Sequence, residues 1–374
     1  MQNRTTIFLA IIIVIIALSY NSVYDYLSFS GLFSEKPRAY SGDRCRKIEE
    51  KGLEACEDIV IHHESGYAFM ACGNSELRRT HWFPGSGVFK NKIIQYRETV
   101  FSYNIDVYVV LHGFGIHQDP ADHNVLYLFL INHKRSGSVV EIFSHIIGSQ
   151  ELHYMETIKD DLINSPNNVF PVSKNEFYVT NVHYSKNPFM VQFEFITRRP
   201  WSNVVFYSGV NNKTEIAADK ICYPNGIDGN WDNSRIYLST SSGKFFVFER
   251  NHDNKLKLLD DIEIGFGDNI SVDDITGEIY LATFPKIMPI VHFSKGQYET
   301  HIPTIILKIS NNTNEDKFNG IKYSKEIVFQ DDGSFFSFVT VAAVDRKRNA
   351  LLLGSIYKLA FPLDWTIGHY IIVP

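Results

Sequence analysis

The sequence is poor in cysteine and in positive charge. Only four cysteines (Cys45, Cys56, Cys72 and Cys222) occur in 374 residues. So few cannot build a dense disulfide framework, although they suit an oxidising compartment. The net charge is −6 and no basic stripe is present, which argues against nucleic acid as a partner. A Gly-x-Ser-x-Gly elbow is missing and no cysteine has an obvious base partner, so covalent catalysis is disfavoured.

What the chain has in excess is aromatic. With 28 Phe, 20 Tyr and 44% hydrophobic residues, it can bury a full core and favours strands over helices. Behind Arg4 lies the uncharged apolar run Ile7–Leu18. Residues 1–22 therefore read as a signal peptide or signal anchor. They direct the chain into the secretory route, where it is secreted or held at the membrane with its main domain on the lumenal or extracellular side. Residues 23–44 have no periodicity and read as a stalk, leaving 45–374 for the main domain. Asn212, Asn269 and Asn311 stand in Asn-x-Ser/Thr sequons.

From Cys45 onward one unit recurs. It is an apolar strand, a turn rich in Asp, Asn, Gly or Lys, and a second strand led by an aromatic or aliphatic residue. The second strands are Tyr67–Met70, Tyr127–Leu130, Phe177–Thr180, Ile236–Ser239, Ile279–Ala282 and Leu351–Gly354. Six hairpins running through the whole chain without a linker predict an all-β, six-bladed β-propeller rather than a pair of β-sandwiches.

In a propeller the first strand of each blade begins beside the central channel. Counting back about eleven residues from each central tyrosine reaches Cys56–Asp58, Gly115–His117, Asn167–Asn168, Asn225–Gly226 and Asp268–Asn269. Glu57, Asn167, Asn225, Asp268 and Asn269 should thus converge in the pore. Two carboxylates and three amides buried together call for a cation between them. All-oxygen ligation suits a hard divalent ion such as Ca²⁺. Cys56 and Cys72 flank the first hairpin symmetrically about Glu64, so they either pair across it or remain two buried thiols.

Several of these stretches resemble the serum paraoxonase/arylesterase family of calcium-dependent lactonases and esterases. They are Lys51–Asp58, Ile131–His133, Thr180–Tyr184, Pro224–Ile227 and Asp268–Asp273. The resemblance implies a catalytic Ca²⁺ held by Glu57, Asn167, Asn225, Asp268 and Asn269. It also implies a second, structural Ca²⁺ near Asp58 and the backbone carbonyl of Ile116. The sequence departs from the family at several places. The family's second-site Asp falls at Asn168, its pore Asp at Val182 and a further His at Phe284. His133 matches the second of the family's two water-activating histidines. Gapless register puts Phe114 at the first, with His112 two residues early and able to substitute through a shifted loop. The family's long-range disulfide has no counterpart, because no cysteine follows Cys222.

The function this implies is calcium-dependent hydrolysis of a small-molecule lactone or aryl ester. The ion would stabilise the oxyanion while His133 or His112 deprotonates water. The alternative is a non-catalytic, calcium-stabilised extracellular propeller that binds a partner or lipid.

Overall fold

A computed structural model describes residues 24–41, 45–47, 55–73, 92–96, 100–104, 111–134, 136–311, 322–356 and 371–373. Alternation of apolar and polar residues builds six four-stranded antiparallel sheets. The first holds β2 (Asp58–His62), β3 (Tyr67–Cys72), β4 (Lys92–Tyr96) and β5 (Val100–Asn104). The second holds β6 (Leu111–Gln118), β7 (Val125–Lys134), β8 (Gly137–Ile146) and β9 (Leu152–Ile158). The third follows with β10 (Pro166–Ser173), β11 (Glu176–Asn181), β12 (Ser202–Ser208) and β13 (Lys213–Ile221). The fourth has β14 (Pro224–Gly229), β15 (Arg235–Thr240), β16 (Lys244–Arg250) and β17 (Leu256–Glu263). In the fifth are β18 (Phe266–Val272), β19 (Ile279–Phe284), β20 (Thr304–Asn311) and β21 (Tyr323–Asp331). The sixth combines β22 (Val339–Asp345), β23 (Ala350–Ser355) and β24 (Ile371–Val373) with β1 (Arg46–Lys47), which pairs β24 from the other end of the chain.

The first strands pack side by side in a closed ring, β2 to β6 to β10 to β14 to β18 to β22 and back to β2. This is an all-β propeller. Its core is divided accordingly, with one buried cluster between each pair of neighbouring sheets. Phe129, Val169 and Phe177 join the second sheet to the third, and Tyr178, Ile227 and Leu238 join the third to the fourth. Ile59, Met70, Val341 and Leu352 close the ring between first and sixth. Sheet-on-sheet burial of this kind is what Phe, Tyr, Ile and Val in alternation provide.

Two helices crown one end of the channel. Residues Pro188–Thr197 follow β11, whose end at Asn181 pairs with Pro166. Residues Ile287–Ser294 follow β19, whose end at Phe284 pairs with Phe266. Asn187 caps the first helix by accepting from the backbone N–H of Phe189 and Met190.

Part of the stretch expected as a stalk, residues 24–41, lies against the propeller. Phe29 stacks on Phe266 and lies under the Arg198 guanidinium, and Tyr40 packs on Phe329 and Phe335. Aromatic side chains spaced along this segment explain why it docks. Among the described residues no helix is long and apolar enough to cross a membrane. The apolar run expected as signal or anchor lies outside the described residues.

Candidate metal and hydrolytic site

Apart from Glu57, which precedes the regular strand β2, the expected pore residues sit on irregularities of the inner strands that follow one rule. In β10 the pairing passes from Pro166↔Asn181 to Val169↔Val179, so Asn167 and Asn168 share Thr180 as their opposite. In β14 it jumps from Pro224↔Thr240 to Ile227↔Leu238, placing Asn225 and Gly226 opposite Ser239. In β18 it jumps from Gly267↔Thr283 to Ile270↔Leu281, around Asp268 and Asn269. In β6 it jumps from Leu111↔Asn132 to Phe114↔Leu130, around His112 and Gly113. Each is a β-bulge, which adds one residue and re-aims its neighbours. Polar side chains thereby enter the channel while the flanking apolar alternation is kept.

Glycine allows these bulges to approach one another. A Cβ on Gly226 would lie 2.7 Å from Asn269 Cα and 2.8 Å from the Asp268 carbonyl oxygen. One on Gly113 would lie 2.3 Å from the Asn167 carbonyl oxygen. Only the missing side chain lets neighbouring inner strands come this close.

The side chains meet across sheets that are distant in sequence. Asn269 Nδ2 donates to Glu57 Oε1 at 2.8 Å and to the Glu57 carbonyl at 3.0 Å. Asn168 Nδ2 donates to Asn269 Oδ1 at 2.8 Å and to Asp58 Oδ2 at 3.2 Å. Asn225 donates to Ser241 Oγ at 3.0 Å and also bonds the Asp268 carboxylate. His112 Nε2 lies 2.9 Å from Asn167 Nδ2 and 3.6 Å from Glu57 Oε1. Ile116 is half-buried and lines, with Asp58, Asn168 and Asp228, a cavity of about 380 Å³ on the side of the cluster away from the helices.

The electrostatics are unbalanced. Glu57, Asp58 and Asp268 are all buried. Burial, reinforced by the Glu57 charge, pushes the carboxyls of both Asp58 and Asp268 well above the usual range. The Oδ1 atoms of Asn167 and Asn225 are buried and accept no hydrogen bond among the described residues. Such oxygens are costly to leave unmatched. Among the described residues no three His, Cys, Asp or Glu side chains form a metal cluster; the oxygen-rich group here mixes carboxylates with amides.

His112 and His133 stand edge to face, ring centroids 5.3 Å apart. His133 Nδ1 shares a hydrogen bond with Ser138 Oγ at 2.8 Å. Phe114, the residue in gapless register with a family histidine, points into the apolar core and offers only its backbone N–H, to Asp58 Oδ2 at 2.9 Å. The extra residue of the β6 bulge accounts for this, since it carries His112 into the channel instead. Phe284 lies in an aromatic cluster, 5.7 Å from Phe266 and 5.0 Å from Phe338 between ring centroids. Val182 is half-buried just past the end of β11.

Three hydroxyls that the sequence reading passed over hold the inner strands to one another. Thr180 Oγ1 donates to the Asn225 carbonyl at 2.7 Å, Ser239 Oγ donates to that of Asp268, and Thr340 Oγ1 donates to that of Glu57 at 2.8 Å. Thr180 and Ser239 also accept the bulge N–H of Asn168 and Gly226, each at 3.0 Å. Both stand two residues after a central tyrosine, which was the available signal. Cys56, beside Glu57, is joined to Cys72 in a disulfide. The register sets Asp58 opposite Ala71; Cys72 therefore faces Glu57, and the bridge runs diagonally.

The all-β propeller thus carries a buried channel of carboxylates, amides and two adjacent imidazoles. The family model described as Arylesterase matches residues 96–364, and the chain belongs to that family of ester hydrolases. Among individual proteins it is similar to the serum paraoxonases. It is 30% identical to human serum paraoxonase/lactonase 3 over 325 residues, covering 84% of this chain and 87% of the relative. To mouse serum paraoxonase/arylesterase 1 it is 29% identical over 255 residues, 68% of each chain. To human serum paraoxonase/arylesterase 2 it is 28% identical over 319 residues, covering 83% of this chain and 86% of the relative.

Proposed function

We propose that this protein is a calcium-dependent hydrolase of lactones and aryl esters. The observation that carries the reading is the pair of buried, unmatched amide oxygens on Asn167 and Asn225 beside the buried Glu57 and Asp268 carboxylates. With Asn269, these oxygens form a donor set that fits a hard divalent cation. Such an ion supplies electrophilic stabilisation where negative charge develops on a substrate carbonyl oxygen.

The chain's own residues provide the rest. The Asn167 amide stands 2.9 Å from His112 Nε2, and this nitrogen acts as base when a water takes the place of the amide as its partner. On accepting a proton from water, the imidazolium is held by Glu57 Oε1 at 3.6 Å. His133, edge-on to His112 and bonded to Ser138, gives the proton a route outward. The ring of bulges and hydroxyls positions these groups before substrate arrives. The Cys56–Cys72 disulfide supports a place in the secretory route, with the protein either secreted or anchored through residues 1–22.

Hydrolysis of unsubstituted γ- and δ-lactones and of phenyl acetate tests this, before and after exhaustive chelation. Activity should vanish with the metal and return with calcium, and chelation should lower the melting temperature. Unchanged stability after chelation would remove the cation from the reading. Calcium-bound protein without turnover would leave a binding propeller.

A further inference from the structure

We propose that the channel takes one divalent cation rather than two, because the Asn168 amide stands where a second ion would bridge Asp58 to the neighbouring sheet. The inference rests on the reading of the first site given above. The position next to Asp58, Ile116 and Asn168 is where a second ion would sit, and the residues present do not fit it.

The misfit lies in the orientation of one amide. Asn168 Oδ1 accepts from the Val169 backbone N–H at 2.6 Å, which fixes which end of the group is oxygen. Nδ2 therefore faces Asp58 Oδ2 at 3.2 Å and Asn269 Oδ1 at 2.8 Å. Turning the amide over would set nitrogen against the Val169 N–H and oxygen against both acceptors, losing all three bonds. A cation needs oxygen at this point, and the side chain offers hydrogen.

The Asp58 carboxylate is already met by donors. Oδ1 accepts from the Ile59 N–H at 2.9 Å, and Oδ2 accepts from the Phe114 N–H at 2.9 Å as well as from Asn168. Two of these N–H groups, from β6 and β10, thus do the bridging work of an ion. Because one Asn168 hydrogen also engages Asn269, the same amide orients a proposed ligand of the first cation. The residue is therefore a positioning residue for that site.

Asn168→Asp converts the donor to an acceptor about as far from Asp58 Oδ2 as the amide is now. Two carboxylates buried at that distance repel unless a cation lies between them. Calcium per chain, measured by elemental analysis after equilibrium dialysis, should be one for the parent and two for Asn168→Asp. The variant should also lose more melting temperature than the parent on chelation. Two ions in the parent would overturn the inference and leave the first site standing. No bound ion in the parent would instead sink the calcium reading and the inference with it. A folded Asn168→Asp variant that still binds one ion would show that the amide is not the substitute. The parent count is decisive even if the variant does not fold.

Discussion

Replacing Gly226 with alanine probes how closely neighbouring inner strands must approach. The added Cβ would fall 2.7 Å from Asn269 Cα and from the Ile270 nitrogen, against an ordinary contact limit of 3.4 Å. All the clashing atoms belong to backbone, so no side chain can swing away. The fourth and fifth sheets must separate by about 0.7 Å at this point. Overpacking of this kind costs roughly 1–3 kcal/mol, and the upper part of that range applies because backbone must move. At about 2 °C per kcal/mol for a large domain, the melting temperature should fall by roughly 4–6 °C. The effect on the ion should be greater than on the fold. Calcium–oxygen distances span only about 0.3 Å, so the proposed ligands Asn225, Asp268 and Asn269 would no longer fit one ion. Differential scanning calorimetry with a calcium titration reads both quantities, with an expected loss of about tenfold or more in affinity. Gly148→Ala serves as comparison, since that glycine has φ +86° and no atom within 4 Å of the added Cβ. It should cost some stability and leave calcium affinity alone. Parent-like melting and calcium binding in Gly226→Ala would refute the account of the bulges.

His112→Gln should slow hydrolysis roughly 10²–10⁴-fold while leaving metal and fold in place; His133→Gln should do less, measured at several pH values below neutrality. If neither variant changes the rate or its pH profile, the histidines are structural. Asn269 is fully buried and bonded to Glu57 and Asn168, so glycopeptide mapping should find its sequon bare and find glycan on exposed Asn212; glycan on Asn269 would contradict its place in the channel. Burial, with Asp274 and Asp58 adding, pushes the Asp228 carboxyl up from 3.8 to about 8. Folding thus favours its protonated form, a contribution present below about pH 4 and lost as pH rises towards 8. Asp228→Asn should flatten that part of the stability profile, and an unchanged slope would mean the carboxyl titrates normally.

The hairpin repeat and most pore residues were legible because alternation and turn chemistry are local. The count back from each tyrosine reaches the bulges at Asn167, Asn225 and Asp268, where Tyr178, Tyr237 and Tyr280 stand two residues before the residue opposite the bulge. It missed His112 because Tyr127 stands four residues before Ile131, the residue opposite the β6 bulge, whereas the other tyrosines stand two before theirs, so the count stopped at Ile116. The hydroxyl ties of Thr180, Ser239 and Thr340 join groups in different sheets, which no local pattern encodes. Asn168 stood out only as a departure from the family's Asp, because its identity was visible but its orientation was not. That orientation is set by the Val169 N–H, a consequence of the bulge. The disulfide depended on a register that symmetry about Glu64 could only approximate.

The pairing of Arg46–Lys47 with Ile371–Ile372 imposes a timetable on synthesis. Five sheets are contiguous in sequence and can form as they leave the ribosome, but the sixth waits for Ile371 and Ile372. Until then the sheet that supplies the Thr340 hydroxyl to the Glu57 carbonyl is incomplete. The chamber is therefore finished after nearly every other part of the molecule. A ribosome stalled before residue 371 would hold a nearly complete propeller with an unfinished sixth sheet, the apolar edge of β23 presented to chaperones rather than to β24.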